Sequence, residues 1–129
     1  MLMMNAPRGT GGWDIMKWAP EELQAHMAFM KRFNEQLVEE GVLVACEGLT
    51  PPDRARVVRA GAGGEPEVTD GPFAEAKEFL AGYWIVDVES AEQAYALAAR
   101  ASAAPGQGGD PLRMPIEVRE VMTGLPTGL

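Results

Sequence analysis

Between Phe79 and Val88 the chain runs through its densest block of aromatic and β-branched residues, the composition of a central strand. Strict alternation puts Phe79, Ala81, Tyr83 and Ile85 on one face and Leu80, Trp84, Val86 and Val88 on the other. Both faces are apolar. A sheet built around such a strand needs a cover on each side, and this requirement constrains the rest of the fold.

The remaining sequence supplies one cover. Met1-Leu2-Met3-Met4 reads as a short first strand, and Gly9 to Asp14 as a glycine-rich loop flanked at its exit by Trp13 and Trp18. A helix opens near Pro20, a residue tolerated at the first helical position, with Glu21 and Glu22 suited to the positive helix end. Ala19 stands where a polar cap is preferred. Leu23, His26, Met27, Met30, Phe33 and Leu37 form one apolar stripe, and Gly41 stops the helix.

Val42 to Gly48 is an apolar strand, Thr50 to Asp53 breaks it, and Arg54 to Arg59 is a return strand. Gly61 to Gly64 turns into a short extended piece at Glu67 to Thr69. Ser90-Ala91-Glu92-Gln93 matches a capping box that opens a second helix ending near Ala103. Pro105 to Pro111 reads as a flexible loop, Ile116 to Met122 as the last strand, and 123–129 as a tail on a single domain. The expected fold is α+β: an antiparallel sheet with two helices on one face, close to the ferredoxin-like plan. Two helices leave one sheet face bare, so a second copy packed sheet to sheet is expected.

Composition excludes several functions. The 129 residues carry 19 acidic and 11 basic side chains, a net charge of -8 that repels phosphate backbones and anionic lipid. No window approaches the ~20 apolar residues of a membrane helix. Met1 to Gly9 lacks the pattern of a signal peptide, and Cys46, the single cysteine, excludes an internal disulfide, so a cytoplasmic protein is expected. One His and one Cys far apart give no zinc pattern, and neither glycine-rich stretch carries the Lys-Ser/Thr of a phosphate loop. No metal or organic cofactor is expected.

Chemistry-bearing residues are few. Asp70-Gly71-Pro72-Phe73 packs a carboxylate, a turn signal and an aromatic into one block, where Asp70 can bond backbone amides just downstream. His26, the single histidine, lies within the apolar stripe of the first helix. By itself it reads as a buried histidine bonded to a backbone carbonyl. Glu47 interrupts an apolar strand on the same face as Leu43 and Ala45. It either lines a pocket or pairs with Arg54, Arg56 or Arg119. Tyr83 and Trp84 lie on opposite faces and read first as core residues; the alternative places one toward a pocket between sheet and helices and the other in the dimer contact.

This sequence resembles the YCII-related (DGPF) family from about Ala19 to about Met122. The shared residues are Pro20-Glu21-Glu22, Glu47-Gly48-Leu49, Asp70-Gly71-Pro72-Phe73, Gly82-Tyr83 and Ile116-Glu117-Val118-Arg119. It departs from the common pattern in its Met1 to Gly12 start and at Glu120, where proline is frequent. The resemblance implies the dimeric α/β-barrel arrangement and a catalytic dyad of His26 and Asp70, with Glu47, Tyr83 and Phe73 as substrate-binding candidates in a cleft between sheet and first helix. It implies acid/base chemistry of the lyase or isomerase type on a small, aromatic or carbonyl substrate. The same resemblance also carries an alternative: a non-catalytic binding or regulatory module, since such proteins often lie beside or are fused to extracytoplasmic-function sigma factors.

Overall fold

In a computed structural model of the chain, residues 1–7, 15–72 and 76–124 are described. The strands are β1 (Leu2–Pro7), β2 (Leu43–Gly48), β3 (Arg56–Ala60), β4 (Pro66–Asp70), β5 (Glu78–Val86) and β6 (Ile116–Val118). The helices are α1 (Pro20–Glu39) and α2 (Ala91–Ser102). The order β2-β5-β1-β6 gives a four-stranded sheet, antiparallel at every pairing, while β3 and β4 form a separate hairpin. Both helices pack on one sheet face. The fold is α+β and ferredoxin-like.

Local chemistry accounts for the helix ends. At the start of α1 the Ala19 N–H donates to Glu22 at 2.9 Å, so the acidic first turn supplies half of a capping box without a polar cap residue. At its end Gly41 has φ 74, and the Val42 N–H reaches Leu37 O while the Gly41 N–H reaches Val38 O. That pair of bonds is the Schellman arrangement, and glycine adopts the left-handed conformation it requires at no steric cost. At α2 the Ser90 hydroxyl accepts from the Gln93 N–H, and Gln93 reaches back to the Glu89 N–H at 2.7 Å.

The core lies between helices and sheet. Leu2, Met4 and Trp84 from the sheet meet Phe33 and Leu37 of α1 and Ala94, Leu97, Ala98 and Ala101 of α2. Small residues along α2 let it sit close to the sheet. Phe33 packs edge-on against Trp84 at 5.6 Å, and the Trp84 indole N–H donates to Asn34 Oδ1 at 2.7 Å. A buried indole N–H left without an acceptor would cost about 1–3 kcal/mol, which explains an Asn on this half-buried flank of α1. Met27, placed in the apolar stripe by periodicity, is 57% exposed, because α1 presents His26, Phe33 and Leu37 inward and Met27 lies at the stripe's edge.

Several expectations change, and the last strand ends at Val118 rather than Met122. The first strand reaches Pro7 rather than stopping at Met4. The segment after Pro52 does not return along β2: β3 pairs with β4, Arg56 opposite Asp70 and Val58 opposite Val68. Alternation in β5 breaks at Ala81, the extra residue between the Gly82–Met4 and Leu80–Asn5 pairs. Phe79 is thereby registered with Ala6, on the side of Leu2 and Met4, and not with Tyr83.

Candidate functional site

His26 lies on the first half of α1 and is buried at 7% exposure. Its Nδ1 is 3.0 Å from the carbonyl oxygen of Pro105, in the loop that follows α2. A carbonyl only accepts, so Nδ1 carries the hydrogen, and in the neutral ring Nε2 keeps its lone pair. Trp18, also buried, packs its ring nearly perpendicular to the imidazole, with centroids 5.3 Å apart and planes at 81°. Carbonyl and indole together fix the plane and the tautomer of the ring.

One turn toward the start of the helix, Glu22 reaches the same loop. Its Oε2 accepts from the Gly108 N–H and its Oε1 from the Ala19 N–H. These two amides, Gly108 first, hold the carboxyl below the usual glutamate range. The loop, expected to be a flexible connection, is bonded internally. The Gly106 N–H donates to Asp110 O at 2.8 Å, Pro105 and Pro111 form a bridge, and the Leu112 N–H donates to Ala104 O at 2.8 Å. Helix α1 and this loop thus meet through Glu22 and His26, two residues four apart on one helix face.

Asp70 is elsewhere. It is the last residue of β4, its side chain is 97% exposed, and its carboxylate faces the Arg56 guanidinium at 3.7 Å. Among the described residues it bonds no backbone amide, and no hydrogen bond or ion pair joins it to His26. The glycine that follows is tightly placed: a Cβ at Gly71 would lie 3.2 Å from backbone atoms of Ala55 and Arg56, and the Gly71 N–H donates to Ala55 O at 3.0 Å. Gly71 therefore docks the base of the hairpin onto the chain entering β3. Phe73 lies outside the described residues.

Glu47 and Tyr83 are directly opposite one another on β2 and β5, and the row continues through Met3 to Glu117. Trp84 points to the helices, so this row lies on the other face of the sheet, away from His26. Leu43 does not share that face, because Val44 is an extra residue between the Leu43–Val86 and Ala45–Ile85 pairs. No ion pair engages Glu47 among the described residues. Its charge adds to burial in pushing the Cys46 thiol up, burial being the larger cause, which keeps that sulfur protonated and unreactive.

Where β2 ends beside the start of β5, Leu49, Thr50, Pro52, Ala55, Pro72, Phe79 and Leu80 line a groove of about 330 Å³ with predominantly apolar walls. Among the described residues no His, Cys, Asp and Glu cluster is arranged to hold a metal ion. No helix among them is long and apolar enough to cross a membrane.

Residues 3–108 match the sequence profile of the YCII-related domain. The chain belongs to the YCII-related family. An uncharacterized protein of Rhizobium meliloti (strain 1021) is 38% identical over 77 residues, covering 60% of this chain and 61% of that relative's length.

Sequence reasoning singled out His26 but passed over its immediate partners. Trp18 had appeared only as a residue flanking a loop, and Glu22 only as a helix-end charge within the shared Pro20-Glu21-Glu22 segment. Pro105 contributes a carbonyl, a group every residue carries, so its side chain gave no signal.

Proposed function

We propose that this YCII-related protein is a small-molecule acid/base enzyme of the lyase or isomerase type, acting in the cytoplasm as a homodimer. His26 removes or delivers the proton through Nε2. The observation that carries this reading is the bond from His26 Nδ1 to Pro105 O at 3.0 Å, which leaves Nε2 as the basic nitrogen of an oriented ring. The carbonyl takes the orienting part that the resemblance assigns to Asp70, whose carboxylate is engaged by Arg56. Trp18 gives the site an aromatic wall suited to a flat or carbonyl-bearing substrate. The homodimer rests on the sheet face opposite the two helices, where Met3, Tyr83 and Ile85 are half-buried with no helix over them among the described residues.

The test needs no named substrate. A general base that removes a proton next to a carbonyl returns a deuteron from heavy water, so a pool of small carbonyl compounds is incubated with the protein and read by mass spectrometry. Exchange should occur in wild type, vanish in His26→Gln and persist in Asp70→Asn. Equal exchange in His26→Gln, or none in any sample, overturns the reading. The alternative, a non-catalytic ligand-binding module linked to sigma factors, is favoured by the groove beside Pro72, which has the size of a small-ligand site and, among the described residues, no titratable side chain in its lining. It predicts ligand affinity unchanged by His26→Gln.

A further inference from the structure

Glu22 lies outside every role described for the His26 ring, yet the two side chains hold the same loop. We propose that Glu22 is a positioning residue for His26: its carboxylate latches the 105–109 loop, and the latched loop presents the Pro105 carbonyl that selects the Nδ1–H tautomer. The proposal rests on the acid/base reading of His26 for its functional meaning and on geometry alone for its physical content.

Three observations carry it. Glu22 and His26 sit four residues apart on α1, facing the same loop, one reaching Gly108 and the other Pro105. The two carboxylate oxygens are divided, Oε1 on the Ala19 N–H and Oε2 on the Gly108 N–H, so one side chain ties the helix start to the loop. The loop between the two anchor points is short and internally bonded: the Gly109 N–H donates to Gly106 O at 3.1 Å and the Gly106 N–H to Asp110 O at 2.8 Å. Movement at Gly108 is therefore transmitted to Pro105. Gly108 and Gly109 have φ of 70 and 78, so the backbone turns Gly108 toward Glu22 in a conformation that other residues rarely adopt. A Cβ at Gly108 would meet nothing closer than Asp110 Oδ2 at 3.9 Å, so conformation and not space restricts this position.

Glu22→Gln is the discriminating variant. Glutamine keeps a single oxygen and remains a good partner for the Ala19 N–H, as capping boxes accept it. Its NH2 group then faces the Gly108 N–H, donor against donor, and the latch opens while α1 stays capped. Because His26 is the single histidine, a long-range ¹H–¹⁵N spectrum in alkaline buffer reads its two ring nitrogens without ambiguity. The expected result is a fall of the Nδ1–H form from the dominant species in wild type to less than half in Glu22→Gln. Ala19→Ser combined with Glu22→Ala, in which serine restores the helix cap but cannot reach Gly108, should show the same loss. Wild-type tautomer populations in both variants would overturn the latch. That outcome leaves the deuterium-exchange result untouched, whereas loss of the proposed function leaves the tautomer result standing, so the two failures are distinguishable.

Discussion

Replacing His26 by Phe isolates the bond to Pro105. Phenylalanine keeps a planar ring that can stay perpendicular to Trp18, now 5.3 Å away, and removes the Nδ1 donor. A typical hydrogen bond contributes about 0.5–1.5 kcal/mol net, and a buried acceptor left unpaired costs about 1–3 kcal/mol. Pro105 is only half-buried, so water recovers part of that cost and the lower end of the range applies, about 1–2 kcal/mol. For a domain of this size such a loss lowers the thermal midpoint by about 3–8 °C. Urea unfolding gives the free energy, and amide exchange at Gly106 and Leu112 shows whether the loss is concentrated in the loop. Their bonds to Asp110 and Ala104 should open more often in the variant. His26→Asn, which retains an N–H near the Nδ1 position, should preserve loop protection while losing the aromatic contact, worth about 0.5–1.5 kcal/mol. A His26→Phe protein with wild-type stability and wild-type exchange at both amides would refute the reasoning.

Gly71→Ala should destabilise the protein by about 1–3 kcal/mol in urea unfolding, since the new methyl meets the backbone of Ala55 and Arg56 at 3.2 Å and no flexible side chain can give way. Tyr83→Glu should yield a folded monomer by light scattering after size exclusion, whereas Trp84→Glu should unfold the subunit because Trp84 faces the core; a dimeric Tyr83→Glu would remove the bare-face argument. Glu22, whose carboxyl is held below its ordinary value, adds stability that is fully present above the ordinary glutamate pKa and is lost as pH falls through the lowered folded value. The stability difference between wild type and Glu22→Gln should therefore be constant near neutrality and shrink in that acid window, as read from urea midpoints across pH.

Much of the fold was legible because its signals are local. Gly41 ends α1 through its own backbone conformation, Ser90 and Gln93 open α2 as their spacing requires, and Phe79 onward forms the strand at the centre of the sheet. What escaped depends on pairing. Nothing local to Arg56–Ala60 distinguishes a partner in β2 from one in β4, because a strand is compatible with either neighbour. The extra residues Val44 and Ala81 shift the alternation in β2 and β5, and both are apolar like their neighbours, so the pattern concealed them. The site follows the same rule. His26 stood out by residue type and burial, and its bond to a backbone carbonyl was one of the two readings open to it. The carbonyl itself lies 79 residues further along the chain, in a loop whose composition of glycine and proline reports turns and not partners. Asp70 stood out because it opens the Asp70–Phe73 block, yet its visible partner is the cross-strand Arg56.

The state of the His26 ring tests the account most directly. In the wild-type protein a long-range ¹H–¹⁵N spectrum of the neutral ring should show Nδ1 protonated and Nε2 bare, the form that the Pro105 carbonyl at 3.0 Å requires and that leaves Nε2 for proton transfer. A ring protonated predominantly at Nε2 would contradict it.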